Sequence, residues 1–140
     1  MPDEFVISRR VQFAETDMAG VLHFANFYRL MEEVEHAFWR SVGLSVMTED
    51  GGREIGWPRV ATSCEYFAPA HFEEELELAL KVANVGDRSV TYEVEFRSGG
   101  RHIATGRMTV VCCTTCKGEF QAVSIPDSLR RKLEGRIESS

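Results

Sequence analysis

Val11-Gln12-Phe13-Ala14-Glu15-Thr16-Asp17-Met18-Ala19-Gly20-Val21-Leu22-His23-Phe24-Ala25-Asn26-Phe27 decides how the chain is read, because it runs directly into a long amphipathic segment. From Ala25 to Val42 the apolar residues Phe27, Leu30, Met31, Val34, Phe38 and Val42 recur at helical spacing. They form one apolar stripe, with Arg29, Glu32, Glu33, His36 and Arg40 off it. Gly43 supplies a left-handed stop. A helix of about 18 residues would be about 27 Å long, a central rod for a small domain. Just upstream, Asp17 and Gly20 set an acid and a turn before the helix mouth. The free N–H groups at such a mouth hold negative charge, so an acid beside them is a chemically useful pairing.

Composition narrows the class. The 140 residues are expected to form one domain (1–140), and 44% hydrophobic with 27% charged residues is ordinary for a globular chain. A formal net charge of -6 argues against nucleic-acid binding. No apolar run approaches a membrane span, so no membrane partner is expected. The start Met-Pro-Asp-Glu lacks the layout of a signal peptide, and a cytoplasmic location follows as an expectation. Four cysteines, Cys64, Cys112, Cys113 and Cys116, are then reduced thiols rather than a disulfide frame.

Working outward, Phe5 to Phe13 alternates imperfectly and reads as a first strand, with Arg9 interrupting its apolar face. Ser45 to Trp57 is polar and carries Gly51-Gly52, which reads as a loop. Strands follow at Arg59–Tyr66, Glu75–Val82, Thr91–Phe96, Ile103–Cys112 and around Phe120–Ile125, with turns at Asn84–Asp87, Ser98–Gly100 and Lys117-Gly118. Ala104 and Gly106 on one face would let a helix come close to the sheet. The tail Arg130–Ser140 reads as a frayed helix. A single helix covers only one face of such a sheet, and self-association is the economical way to cover the other face or an edge.

Phe13-x-x-Thr16-Asp17-x-x-Gly20-x5-Asn26-Phe27, the helix with Glu32, and Gly43 resemble the signature of the hot-dog-fold acyl-CoA thioesterases of the 4-hydroxybenzoyl-CoA thioesterase-like group. Tyr66, Pro69, the turn Gly86-Asp87-Arg88-Ser89 and Ile125-Pro126 match too, so the resemblance spans nearly the whole chain. It implies an α+β fold, a long central helix wrapped by a five- to six-stranded antiparallel sheet. It also implies homodimers joined sheet edge to sheet edge, often paired into homotetramers, with active sites at the dimer interface. It makes Asp17 the catalytic carboxylate and the Phe24 backbone N–H the group that polarises the thioester carbonyl, with Gly20 closing the motif. Many relatives carry Tyr-His or Trp-Tyr where this chain has His23-Phe24; the backbone role at 24 survives any side chain.

The implied reaction is hydrolysis of a short- to medium-chain or aromatic acyl-CoA to free acid and coenzyme A. No metal or redox cofactor is expected, coenzyme A being part of the substrate. The carboxylate either attacks the carbonyl or takes a proton from water. On residue type alone Asp17 also reads as the starter of the turn Met18–Gly20. The resemblance lets Glu32 recognise a polar group on the acyl ring or, as in other hot-dog thioesterases, act as a catalytic base; residue type alone reads it as solvated and paired with His36. Glu33 and Glu35 read as surface charges. His23 lines the pocket or is structural, and Asn26 caps the first helical turn in preference to touching substrate. The resemblance places nucleotide contacts at Arg88 and Ser89. Trp39 and Trp57 read as core or interface rather than pocket. Cys113-x-x-Cys116 lacks the second pair a zinc site needs and sits at a strand end, unlike a redox motif. A non-catalytic acyl-CoA-binding module and a hydratase or dehydratase, which would want a His paired with an acid, are the alternatives.

Overall fold

The computed structural model describes residues 4–138. Its strands are β1 (Phe5–Arg10), β2 (Thr48–Asp50), β3 (Arg53–Gly56), β4 (Arg59–Tyr66), β5 (Glu75–Val85), β6 (Ser89–Ser98), β7 (Arg101–Val111), β8 (Cys113–Cys116) and β9 (Glu119–Ala122). Its helices are α1 (Asn26–Ser41) and α2 (Asp127–Glu138), and Phe13–Glu15 forms a 3-10 turn. Five strands make an antiparallel sheet in the order β1-β5-β6-β7-β4, and the rest make a smaller sheet, β2-β3-β8-β9. Among the described residues no helix is long and apolar enough to cross a membrane.

The stripe on α1 decides the packing. Phe27, Leu30, Met31, Val34 and Phe38 are buried against inward residues of the sheet, among them Leu78, Leu80, Tyr92, Val94 and Phe96. The expected closeness at β7 is present: a Cβ built on Gly106 would lie 2.6 Å from Met31 Sδ, nearer than real contacts allow. Glycine at 106 therefore sets how near the rod lies to the sheet. Leu129 and Leu133 of α2 join the same core.

Four expectations are corrected. The first strand ends at Arg10, and Phe13 is 77% exposed rather than inward, because the chain breaks into the 3-10 turn that Glu15 closes on the Gln12 N–H at 2.8 Å. Ser45–Trp57 is no loop but contains the hairpin β2–β3; Gly51 and Gly52, at φ +58° and +83°, supply the two left-handed residues a tight hairpin turn requires. Asn84 belongs to β5, past an irregularity between Val82 and Asn84, and the turn lies at Gly86–Arg88, closed by the Gly86 N–H on Ser89 O. The tail helix starts earlier, at Asp127; Ser139 and Ser140 lie outside the described residues.

The sheet's outer face needs no apolar cover. It carries ion pairs such as Arg107–Glu93 (2.7 Å) and Arg97–Glu4 (3.1 Å), which leaves the two edge strands open: β1, bonded to β5 alone, and β4, bonded to β7 alone. Gly106→Val should cost about 1–3 kcal/mol by overpacking against Met31. Urea denaturation reads this as a lower midpoint; an unchanged midpoint would mean that α1 lies farther from β7 than described.

Candidate active site at the mouth of α1

Arg9 is where this site starts. It sits on the inward side of β1 at 16% side-chain exposure, where an unpaired charge would be costly. It donates to Glu33 of α1 at 2.8 and 3.0 Å, and pairs with both carboxylate oxygens of Glu15. Against its own burial, Arg9 and the Gln12 N–H hold the Glu15 carboxyl below the usual carboxylate range. The Glu15 carbonyl in turn accepts from the His23 N–H (2.9 Å) and from Asn26 Nδ2 (2.8 Å). One glutamate thus joins strand, arch and helix.

Between Glu15 and His23 the chain folds into a narrow arch. The Asp17 N–H donates to Val21 O at 2.9 Å and the Gly20 N–H to Asp17 O at 3.0 Å, while Gly20 takes φ +79°. A second segment clamps the arch, with Leu22 N–H on Ala70 O (2.7 Å) and Phe72 N–H on Gly20 O (3.1 Å). Glu74 closes that segment on the His71 N–H at 2.9 Å. Despite partial burial, the Ser98 hydroxyl, the His71 N–H and Arg101 hold its carboxyl down at about 2.

Asp17 is exposed. Its Oδ1 accepts from Ala19 N–H at 2.9 Å and more weakly from Val21 N–H at 3.4 Å, so the turn-starting reading is realised. Its Oδ2 has no donor among the described residues. At the helix mouth, the Ala25 N–H reaches His23 Nδ1 (3.2 Å), Asn26 N–H reaches His23 O (2.9 Å) and Phe27 N–H reaches Phe24 O (3.3 Å). Among the described residues the Phe24 N–H has no acceptor. Helix N-termini leave such donors over, and they favour an anionic oxygen.

Other expected residues land elsewhere. Asn26 is the first residue of α1 rather than its cap, and its Nδ2 donates to Glu15 O. His23 accepts through Nδ1 and stacks on Phe24 at 4.6 Å, which leaves Nε2 as the protonated nitrogen of the neutral ring. Arg88 and Ser89 lie at the far end of β6 from the arch, about 30 Å away along a ten-residue strand, and Arg88 is exposed beside Asp87 at 3.5 Å. Within one subunit they do not join Asp17.

Glu32 pairs with Arg59 at 2.9 Å rather than with His36. Arg59 also grips Glu35 across both oxygens, at 3.0 and 2.6 Å, and Glu35 is fully buried. Glu35 is not the surface charge expected: the stripe is wide enough at that turn to include it, and Arg59, 24 residues away, makes its burial tolerable, with His36 Nε2 3.7 Å from Oε1. Burial pushes the Glu35 carboxyl up against the pull of Arg59. Glu32, His36 and Arg59 line a cavity of about 620 Å³ whose apolar wall includes Val46, Ile55, Trp57 and Phe120. Trp57, stacked on buried Trp39 at 5.7 Å, therefore lines a pocket, against expectation. The cavity does not include the arch. Tyr28, Glu32 and His36, four residues apart on one face of α1, run to it from the mouth at Phe24, about 12 Å from Phe24 to Glu32 at helical rise. The Cys113–Cys116 motif lies within β8, and among the described residues no three ligating side chains converge on a metal site.

A family model described as the thioesterase-like superfamily matches residues 11–133. The chain belongs to that superfamily. This thioesterase is 28% identical to a 1,4-dihydroxy-2-naphthoyl-CoA hydrolase of Synechocystis over 77% of this chain and 80% of the relative. Among solved structures, a gentisyl-coenzyme A thioesterase superposes with TM-score 0.78 at 28% identity, covering 90% of this chain and 99% of the other. The dynemicin thioesterase shares the fold, with TM-score 0.86 at 20% identity over 99% and 100%. The hot-dog arrangement and thioester hydrolysis as the class of activity follow from this membership.

Arg59→Met should destabilise the thioesterase by about 3–5 kcal/mol by leaving Glu35 buried and unpaired. The double variant Arg59→Met/Glu35→Leu should recover most of that loss in urea denaturation. Equal losses in the two would show that the pair does not govern the cost.

Proposed function

We propose that the protein hydrolyses an acyl-CoA thioester at the mouth of α1, with Asp17 as the catalytic carboxylate. The observation that carries this is that, among the described residues, an Asp17 oxygen on the clamped arch lacks a donor and the Phe24 N–H just beyond it lacks an acceptor. A thioester carbonyl set against that N–H is polarised, and the negative charge that develops on its oxygen falls on the positive end of the helix. Asp17 then adds to the carbonyl carbon to give a mixed anhydride that water opens, or takes the proton of an attacking water. Either route expels the coenzyme A thiolate and delivers the free acid. The relatives named for naphthoyl-CoA and gentisyl-coenzyme A support an acyl-CoA substrate and include aromatic acyl groups.

The assembly in this reading is a homodimer through β4. A two-fold axis beside that open edge pairs β4 with its copy antiparallel and reverses the sheet end for end. The partner's Arg88 end then comes to the Asp17 end, which supplies the nucleotide contacts that a single subunit keeps apart. His23 supports hydrolysis over hydration, since its Nδ1 is occupied by the Ala25 N–H and the ring holds the loop instead of shuttling protons.

Asp17→Asn keeps an oxygen for the Ala19 N–H and so keeps the arch. It should lower kcat by about 10²–10⁴ on a panel of acyl-CoAs, with thermal unfolding unchanged. Near-wild-type kcat in the variant would remove Asp17 from the chemistry.

A further inference from the structure

We infer that the cavity beside α1 is a charge filter for the acyl group, admitting tails that end in a neutral or cationic group and rejecting tails that end in a carboxylate. This rests on the proposed site, because it takes the carbonyl at Phe24 as the point from which the tail runs along Tyr28 towards Glu32.

The electrostatics come from three separate elements. On α1, Glu32 faces the cavity with Oε2 on Arg59, and Oε1 has no donor among the described residues. On the β2–β3 hairpin, Glu49 and Glu54 stand directly opposite each other and both line the cavity. Like charges in that position destabilise a hairpin, and neither has a cation partner among the described residues, whereas the next pair, Asp50 with Arg53, is an ion pair at 3.4 Å. On β4, Arg59 is the one guanidinium in the lining, and both its terminal nitrogens are spent. Nη1 donates to Glu35 and Trp57 O, and Nη2 to Glu32 and Glu35.

A ligand carboxylate therefore finds no free guanidinium fork. It meets Glu32, Glu49 and Glu54, with buried Glu35 behind them, against the single charge of Arg59. A protonated His36 would still leave the carboxylates in the majority. The apolar wall at Val46, Ile55, Trp57 and Phe120 accepts the body of an acyl chain or ring, so only the character of its far end is selected. Glu32, Glu49 and Glu54 are exposed at the cavity wall, and at the effective dielectric near a protein surface two uncompensated charges within several ångströms are worth about 30-fold or more in affinity.

The test uses thioether analogues, which cannot be hydrolysed: S-octyl-CoA and its ω-carboxylate and ω-ammonium counterparts, bound to the full-length protein. Calorimetry gives affinity, and the tryptophan fluorescence change, compared with Trp57→Phe, reports whether the tail enters the cavity. The coenzyme A moiety is common to all three and cancels. The carboxylate tail should bind about 30-fold or more weaker than the octyl tail, and the ammonium tail at least as tightly as the octyl. In Glu49→Gln/Glu54→Gln the carboxylate penalty should shrink about fivefold or more; both tails are compared on one preparation, so partial unfolding cancels. Octyl and carboxylate tails within about twofold of each other, an unchanged penalty in the double variant, or no Trp57-dependent signal would each overturn the filter. Asp17→Asn turnover is read separately: its loss alongside equal tail affinities removes only the filter, and its retention alongside a clear tail preference removes only the catalytic assignment.

Discussion

A helix can lie flat along a sheet only where something on the sheet makes room, and here that is Gly106 under Met31. The distance it permits fixes the depth of α1 over β5, β6 and β7. Phe27, Leu30, Val34 and Phe38 can then all reach the same core, and the opposite face of the helix is left for chemistry. Two half-buried arginines hold the rod against rotation. Arg9 fastens Glu33 and the Glu15 arch near the N-terminal half, and Arg59 fastens Glu32 and Glu35 to the edge strand β4. The mouth of the helix, with its spare Phe24 N–H, is positioned by these anchors together with the 70–74 clamp.

The two ends of α1's exposed face are chemically different. At the mouth, backbone donors and a solvent-facing Asp17 suit a carbonyl that must gain negative charge. About two turns on, the surroundings are apolar walls and carboxylates, a place for the part of the substrate that does not react. On the proposed function, binding energy gathered there would hold the thioester in register with Asp17, which is how a remote pocket contributes to rate.

Much of this was legible in the sequence. The rod and most strands show strong periodicity, and Ala104 with Gly106 announced the close approach. The arch was located because Asp17, Gly20 and Asn26-Phe27 keep the spacing of a known motif. The residues that escaped notice are those whose environment is made by distant partners. Glu35 looks like any helical glutamate until Arg59 of another strand is beside it, and Arg9 looks like a flaw in a strand until Glu15 and Glu33 meet it. The β2–β3 hairpin is hard to read because its residues are nearly all polar, with Ile55 the one buried apolar side chain, so no alternation shows, although Gly51-Gly52 carries the turn signal. The cavity was hidden for the same reason, since that hairpin is one of its walls.

The central claim is that the Phe24 N–H at the mouth of α1 polarises a bound thioester carbonyl. Infrared difference spectroscopy on Asp17→Asn with an acyl-CoA labelled at the carbonyl carbon tests it without turnover. The labelled stretch should fall to lower frequency on binding, as a carbonyl does when a strong donor meets its oxygen. A bound thioester whose carbonyl stretch stays at its value in water would contradict the account.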